Sequence, residues 1–179
     1  MRSLDEVIKA GIRDVPDYPL AGVVFKDITP LLADHSGFTH VVEALAATGR
    51  DAEGRPVVDK VVGIEARGFI LAAPVALALG AGFVPVRKAG KLPAATYQES
   101  YDLEYGKATI EVHQDAFQPG DRVLVVDDVL ATGGTVEACL RLIRRCEATV
   151  VGTTVLMELS FLPGRERLAG EQLTALLTV

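Results

Sequence analysis

Apolar residues three and four positions apart open the chain. Leu4, Val7, Ile8 and Ile12 fall on one helical stripe, and Ser3 with Glu6 has the form of a capping box, so a helix is expected to start there. Residues 16–30 hold three prolines and no sustained period, which reads as an irregular, partly apolar lobe. A second stripe, Phe38, Val41, Val42 and Leu45, predicts a helix capped by Ser36 and ending near Gly49. Beyond it the period changes. Valine-rich runs at 60–65, 83–87, 122–127 and 149–158 read as buried strands, and they alternate with helical stretches at 68–79 and 135–146. Continuously apolar strands separated by helices predict an α/β fold, a mainly parallel sheet flanked by helices and joined by right-handed crossovers.

Residues 68–86 carry no charge over 19 positions, close to the length of a membrane-spanning helix. Pro74, Gly80, Gly82 and Pro85 interrupt the run. It reads as two buried elements in series, a helix closing on Gly80-Ala81-Gly82 and then a strand, and no membrane is expected as a partner. Between the strands near 87 and 122 the alternation stops. Residues 91–113 contain Tyr97, Tyr101 and Tyr105, three of the four tyrosines, and Glu104-Tyr105-Gly106-Lys107 looks like a turn between two extended arms. Such an excursion from a compact core is expected to be either a functional lid or a disordered loop.

Composition narrows the classes further. In 179 residues, 18 Lys and Arg stand against 24 Asp and Glu, a formal charge of -6. That balance disfavours nucleic acid and anionic membranes as partners. Apolar residues at 49% and charged residues at 23% are those of a globular chain, expected to form one domain over 1–179. The start lacks the apolar stretch of a signal peptide, and two cysteines exclude a disulfide scaffold, so a cytoplasmic setting is expected. Cys139 and Cys146, seven apart on one helix, lie roughly 10 Å apart and too far for a disulfide. His35, His40 and His113 show no ligand spacing and receive no role.

The sharpest chemical signal is Val123-Leu-Val-Val-Asp127-Asp128-Val129-Leu130-Ala131-Thr132-Gly133-Gly134-Thr135. Four apolar residues make a strand, two carboxylates follow at its end, and a glycine loop with hydroxyls opens a helix. Ligands of open α/β sheets bind at that edge of the strands. Glycines let the backbone approach a phosphate, whose charge is favoured by open N–H groups and the helix dipole. Two carboxylates would repel a phosphate, so they face sugar hydroxyls or a magnesium ion instead. The combination asks for a ligand carrying both ribose and phosphate. A GxxxxGK[ST] loop is absent, and Pro85 stands where a GxGxxG motif started at Gly80 would need its last glycine.

In this order the motif resembles the phosphoribosyl diphosphate motif of type I phosphoribosyltransferases. The likeness extends over residues 16–168 and becomes that of the family's adenine-specific members. It is carried by Pro16-Asp-Tyr-Pro19, Gly22-Val-Val-Phe-Lys-Asp-Ile-Thr-Pro30, Glu65-Ala-Arg-Gly-Phe69, Val86-Arg-Lys-Ala-Gly-Lys-Leu-Pro93, Ser100-Tyr-Asp-Leu-Glu-Tyr-Gly-Lys107 and Gly164-Arg-Glu-Arg-Leu168. The resemblance implies the type I fold, with a small hood built from the N-terminal region (about 1–35) and the C-terminal region, and a flexible catalytic loop at about 93–113. It also implies purine salvage chemistry, adenine plus phosphoribosyl diphosphate giving AMP and pyrophosphate, with Mg2+ and a homodimer.

Residue roles follow from the same likeness. Ala131, Thr132, Gly133, Gly134 and Thr135 would hold the 5-phosphate, and Asp127 and Asp128 the ribose hydroxyls, with Mg2+ brought by the substrate near those acids. Arg67, Arg87, Lys88 and Lys91 would meet the pyrophosphate, partly across the dimer interface. Glu104 is implied as the catalytic base for the purine, and Tyr105 as a cover over the ribosyl diphosphate. Val24, Phe25, Lys26 and Val129 or Leu130 would enclose adenine, with Lys26 standing where the family more often has arginine. The sequence agrees on one point directly: residues 60–91 hold five basic residues and one acid, net +4, so the rest must sum to -10. A phosphoribosyltransferase for hypoxanthine, guanine or xanthine is the nearest alternative. A ligand-binding regulator of the same fold would need a DNA-binding domain or basic surface, and a response-regulator receiver would need a lysine late in the chain, where none follows Lys107.

Overall fold

The computed structural model describes residues 3–103 and 106–179. The chain packs as two compact units, Met1–Ala44 and Leu45–Val179. The first opens with helix α1 (Leu4–Gly11), whose capping box is formed as expected: the Ser3 hydroxyl accepts the Glu6 N–H and the Glu6 carboxylate accepts the Ser3 N–H. Its apolar stripe sinks Ile8 completely. The lobe expected to be irregular contains more order than its sequence suggests. Strands β1 (Arg13–Pro16) and β2 (Val24–Asp27) pair antiparallel, with Asp14 opposite Lys26 and joined to it at 2.8 Å. Helix α2 (Thr29–Ala33) starts on Pro30, whose missing N–H costs nothing in a first turn. Helix α3 (His35–Ala47) is capped by Asp34 rather than Ser36, the Asp34 carboxylate accepting the Gly37 N–H at 2.9 Å.

The second unit is built on a seven-stranded sheet in the order β5-β6-β4-β3-β7-β8-β9. Its strands are β3 (Lys60–Ile64), β4 (Gly82–Lys88), β5 (Thr96–Asp102), β6 (Lys107–His113), β7 (Arg122–Leu130), β8 (Thr149–Glu158) and β9 (Leu173–Thr178). Pairing from β4 through β3, β7 and β8 to β9 is parallel. Helix α4 (Arg67–Leu79) crosses from β3 to β4, and α5 (Gly134–Arg145) crosses from β7 to β8. The valine runs are buried as their patterns require: Val62, Val84, Val86, Val123, Val125, Leu140 and Ile143 belong to one core. The uncharged run at 68–86 divides into α4 and β4, with Gly80 in the left-handed conformation (φ 65°) closing the helix. Among the described residues, no helix is long and apolar enough to cross a membrane.

The excursion at 91–113 supplies two extended arms, as its sequence suggests. Both are strands of the sheet: β5 and β6 form an antiparallel hairpin, and β6 joins β4 through Arg87 opposite Glu111 and Lys88 opposite Ile110. Helix α5 holds β5 in place. The Arg141 guanidinium meets Glu99 at 2.7 Å, and that of Arg145 lies 4.7 Å from the Tyr97 ring centre. Besides β1, β2 and α2, strand β9 and the short helix α6 (Gly164–Arg167) were not expected from the sequence.

Candidate active site

The sheet turns its winding direction between β3 and β7. From β3 the chain crosses to β4 on one side, and from β7 it crosses to β8 on the other. β3 and β7 stay in register from Lys60 opposite Val123 to Gly63 opposite Val126. Past that point Ile64 pairs with Val86 of β4, while Asp127 pairs with Val155 of β8. The two strands therefore part at their carboxyl ends, where doubly wound sheets bind ligands. The gap is a cleft of ≈ 330 Å³ lined by Ile64, Glu65, Ala66 and Arg67 from one side and by residues 127–133, Thr135 and Val136 from the other. Asp127 and Asp128 lie inside β7, not after it, because β8 continues to pair with that strand as far as Leu130.

The two acids are in different surroundings. Asp128 is only 5% exposed, and its carboxylate pairs with Arg67 Nε at 2.7 Å. Asp127 accepts the Asp128 N–H at 2.9 Å. Burial, and then the charge of Asp128, push the Asp127 carboxyl well above the usual carboxylate range, against the pull of the Asp128 N–H and Arg67. Helix α4 can approach this closely only because residue 68 is glycine: a Cβ there would stand 2.7 Å from Asp127 Oδ1.

The glycine loop opens α5. Gly133 is left-handed (φ 79°), and no side chain caps the helix, which leaves its first N–H groups without a side-chain partner. The Thr135 hydroxyl donates to the Tyr101 hydroxyl of β5 at 2.9 Å. Gly164, at the start of α6, lies directly against the loop: a Cβ there would come within 2.3 Å of the Ala131 carbonyl oxygen. The sequence reading gave Tyr101 and Gly164 no role. The available signals were a glycine opening Gly164-Arg-Glu-Arg-Leu168 for the second and, for the first, a place among the clustered tyrosines and in Ser100–Lys107.

The cleft thus brings together Arg67, Asp127, Asp128, Val129, Leu130, Ala131, Thr132, Gly133 and Thr135, with Gly134 buried beside them. Leu130 is fully buried in the core, which leaves half-buried Val129 as the side chain with access. Arg87, Lys88 and Lys91 are not lining residues. They sit at the end of the adjacent β4 and the turn after it, where the Glu65 carboxylate accepts the Lys88 N–H at 3.0 Å and pairs with Arg87 Nε at 3.3 Å. Val24, Phe25 and Lys26 belong to the other unit, on β2. Val24 is 51% exposed, so it is not core, and the Phe25 ring packs edge-on against Tyr18 at 5.2 Å. Glu104 and Tyr105 lie outside the described residues. The N-terminal unit has a cavity of its own, ≈ 410 Å³, lined by Val7, Leu31, Asp34 and His40 among others. It offers no Lys or Arg to a diphosphate.

Among the described residues, no group of three or more His, Cys, Asp or Glu is placed to hold a metal ion. The cysteines are both free. Burial pushes the Cys139 thiol far up, with Asp127 adding to it, and burial pushes up Cys146 less completely. At pH 8 a thiol reagent is therefore expected to modify Cys146 slowly and Cys139 only in denaturant. Peptide mapping that finds Cys139 labelled first in the native protein would contradict this arrangement.

Known proteins agree with the geometry. Residues 31–168 match the family model described as the phosphoribosyl transferase domain. An adenine phosphoribosyltransferase of Nocardioides sp. is 68% identical over 94% of this chain and 91% of its own length, and that of Streptomyces coelicolor is 63% identical over 98% and 97%. Among solved structures, the adenine phosphoribosyltransferase of Rhodothermus marinus superposes with a TM-score of 0.91 at 51% identity, covering 98% of each chain. The Saccharomyces cerevisiae adenine phosphoribosyltransferase, solved with adenine and an imino-altritol bisphosphate, superposes with a TM-score of 0.92 at 36% identity over 99% of this chain and all of that one. A parallel sheet that opens its switch point onto paired acids and a glycine loop, in a sequence this close to theirs, belongs to the phosphoribosyltransferase family, in its adenine phosphoribosyltransferase branch.

Proposed function

We propose that the protein transfers the 5-phosphoribosyl group of phosphoribosyl diphosphate to adenine, releasing pyrophosphate and forming AMP, as a purine salvage enzyme. The observation that carries this reading is the single cleft that joins an anion-binding loop to two carboxylates. The loop at 131–135 takes the 5-phosphate on open N–H groups and threonine hydroxyls. Asp127 and Asp128 take the ribose hydroxyls. As the bond from the anomeric carbon to the diphosphate oxygen breaks, positive charge develops on the sugar, and the fixed carboxylates stabilise it more than they stabilise the ground state. Adenine nitrogen forms the new bond, and Glu104 accepts the proton released from the imidazole ring. Arg67, with Arg87, Lys88 and Lys91, receives the departing pyrophosphate, partly across the interface of a homodimer.

Two carboxylates side by side on the wall of the cleft, with the half-buried Asp127 raised by burial and by the charge of Asp128, favour a nearby cation, so the acids fit Mg2+ carried by the substrate. Bound to the diphosphate, Mg2+ would lower the charge that the leaving group must carry. On this reading residues up to about 35 form the base-binding hood, with exposed Val24 offering its backbone to the purine and Phe25, Lys26 and Val129 enclosing it. Because β5 and β6 are strands of the sheet, the cover that excludes water is assigned to the connection between them, with Glu104 and Tyr105. The setting is the cytoplasm. A backbone acceptor facing the exocyclic amine selects adenine, because the oxygen of hypoxanthine or guanine would leave it unpaired.

With phosphoribosyl diphosphate and magnesium, the purified protein is expected to convert adenine to AMP at least about 1,000-fold more efficiently than hypoxanthine, guanine or xanthine. Chromatography of the nucleotide products measures this. A preference for any of those other bases would overturn the assignment.

A further inference from the structure

Glu111 is a carboxylate in the wrong place for a solvated side chain. It lies on β6 between Arg87 of β4 and Gln98 of β5, and only 2% of it is exposed. A buried charge persists only where donors surround it. Here they come from two directions. Oε1 accepts the backbone N–H groups of Lys91 and Leu92, both at 2.9 Å. Oε2 accepts from the Gln98 amide at 3.0 Å and the Thr96 hydroxyl at 3.4 Å. Burial alone would raise this carboxyl, but the N–H groups of Leu92, Gly90 and Lys91 and the Gln98 amide outweigh it and bring it below the usual range.

The turn held in this way carries Lys91, one of the three basic residues beside the cleft, and follows directly on Arg87 and Lys88 at the end of β4. Lys91 is fixed at both ends of its peptide unit: its N–H goes to Glu111 and its carbonyl accepts from Arg87 Nη1 at 3.1 Å. Arg87 in turn meets Glu65, next to the Ala66-Arg67 side of the cleft. One carboxylate on the hairpin therefore sets the path of a basic segment that it does not charge-pair.

We propose that Glu111 is a positioning residue that fixes the turn bearing Lys91, directly after Lys88, and through it the affinity for the diphosphate end of phosphoribosyl diphosphate. This rests on the assignment of that segment to pyrophosphate. Glu111 touches no reacting atom. Glutamine at 111 keeps the shape but offers one acceptor oxygen to two sets of donors, so either the Lys91 and Leu92 N–H groups or Gln98 and Thr96 lose their partner and the hold on the turn weakens.

Glu111→Gln is expected to raise KM for phosphoribosyl diphosphate about tenfold, with KM for adenine and kcat within about twofold of the parent. Titration of magnesium pyrophosphate onto the protein, followed by calorimetry, is expected to show the same tenfold loss. In a Lys91→Ala background the additional Glu111→Gln change is expected to add less than about twofold, since both act on one contact. A folded Glu111→Gln protein with unchanged KM for phosphoribosyl diphosphate, an equal rise for both substrates, or full additivity with Lys91→Ala would overturn the proposal. If Glu111→Gln does not fold, Gln98→Met removes a donor from Oε2 alone and is expected to raise the same KM about threefold; no rise would overturn it equally. Failure of the parent protein to bind pyrophosphate would refute the functional assignment itself, whereas a binding parent and an indistinguishable variant would refute only the role of Glu111.

Discussion

Asparagine at position 127 is expected to give a protein that melts higher than its parent and turns over about 100-fold more slowly or worse. The two effects have one origin. Burial and the neighbouring Asp128 raise the Asp127 carboxyl above its unfolded value. A raised acid contributes stability below its unfolded pKa and loses it as pH climbs through the folded value, so at neutral pH the ionised group costs stability. Asparagine keeps the oxygen that accepts the Asp128 N–H and discards the charge, which removes that cost. It also discards the negative charge held beside the developing cation of the sugar. Calorimetric melting from pH 4 to 8 should show the variant's advantage widening as pH rises. Steady-state kinetics on the same samples should show the loss of kcat. Lower stability and unchanged turnover together would mean that Asp127 serves the fold and not the reaction.

The second large effect is expected from steric contact alone. Gly164→Ala places a methyl 2.3 Å from the Ala131 carbonyl oxygen and 2.9 Å from Leu130 Cγ. The first is backbone and the second is fully buried, so neither can swing aside. Either α6 withdraws or the loop at 131–133 moves, and the loop is the proposed phosphate site. Gly133 faces the same contact from the other side: a Cβ there would lie 3.0 Å from the Gly164 carbonyl oxygen. A stability loss of about 1–3 kcal/mol is expected, with KM for phosphoribosyl diphosphate raised about tenfold or more. Gly152→Ala provides the contrast. Its Cβ would meet nothing closer than 3.6 Å, so it should melt and bind as the parent does. Urea titrations and kinetics on both variants test the pair, and an unperturbed Gly164→Ala protein would show that the loop does not depend on α6.

Both variants concern parts of the chain that differ in how openly the sequence displays them. Asp127 could be read because everything around it is local: four apolar residues, two acids, a glycine loop and a helix in unbroken order, which is how β7 and α5 form. The alternation of 60–64, 67–79 and 82–88 was equally legible, since a buried parallel strand leaves a run of valines whatever its neighbours are. Gly164 was seen as a mark of family likeness, but its function depends on Ala131, 33 positions earlier, and no periodicity encodes that. Strands β1 and β2 are four residues each and neither buries a residue fully, so they show no alternation to read. Asp34 displaced Ser36 as the cap of α3 because α2 ends on it and brings its carboxylate round to the Gly37 N–H. Glu111 looks like any outward residue of an alternating strand. Only β5 and the turn at 90–92, closing over it, make it interior.

The ion pair between Arg67 and Asp128 has a consequence for how the cleft takes its ligand. The two residues are assigned to opposite ends of one substrate, the guanidinium to the diphosphate and the carboxylate to the sugar, yet here they satisfy each other at 2.7 Å. On the proposed assignment, loading the site would be an exchange and not a simple addition, the internal ion pair being surrendered as contacts to the ligand form. Bare pyrophosphate would occupy the guanidinium and leave Asp128 without it. The complete substrate would engage both residues at once, which would favour the intact molecule over its own leaving group.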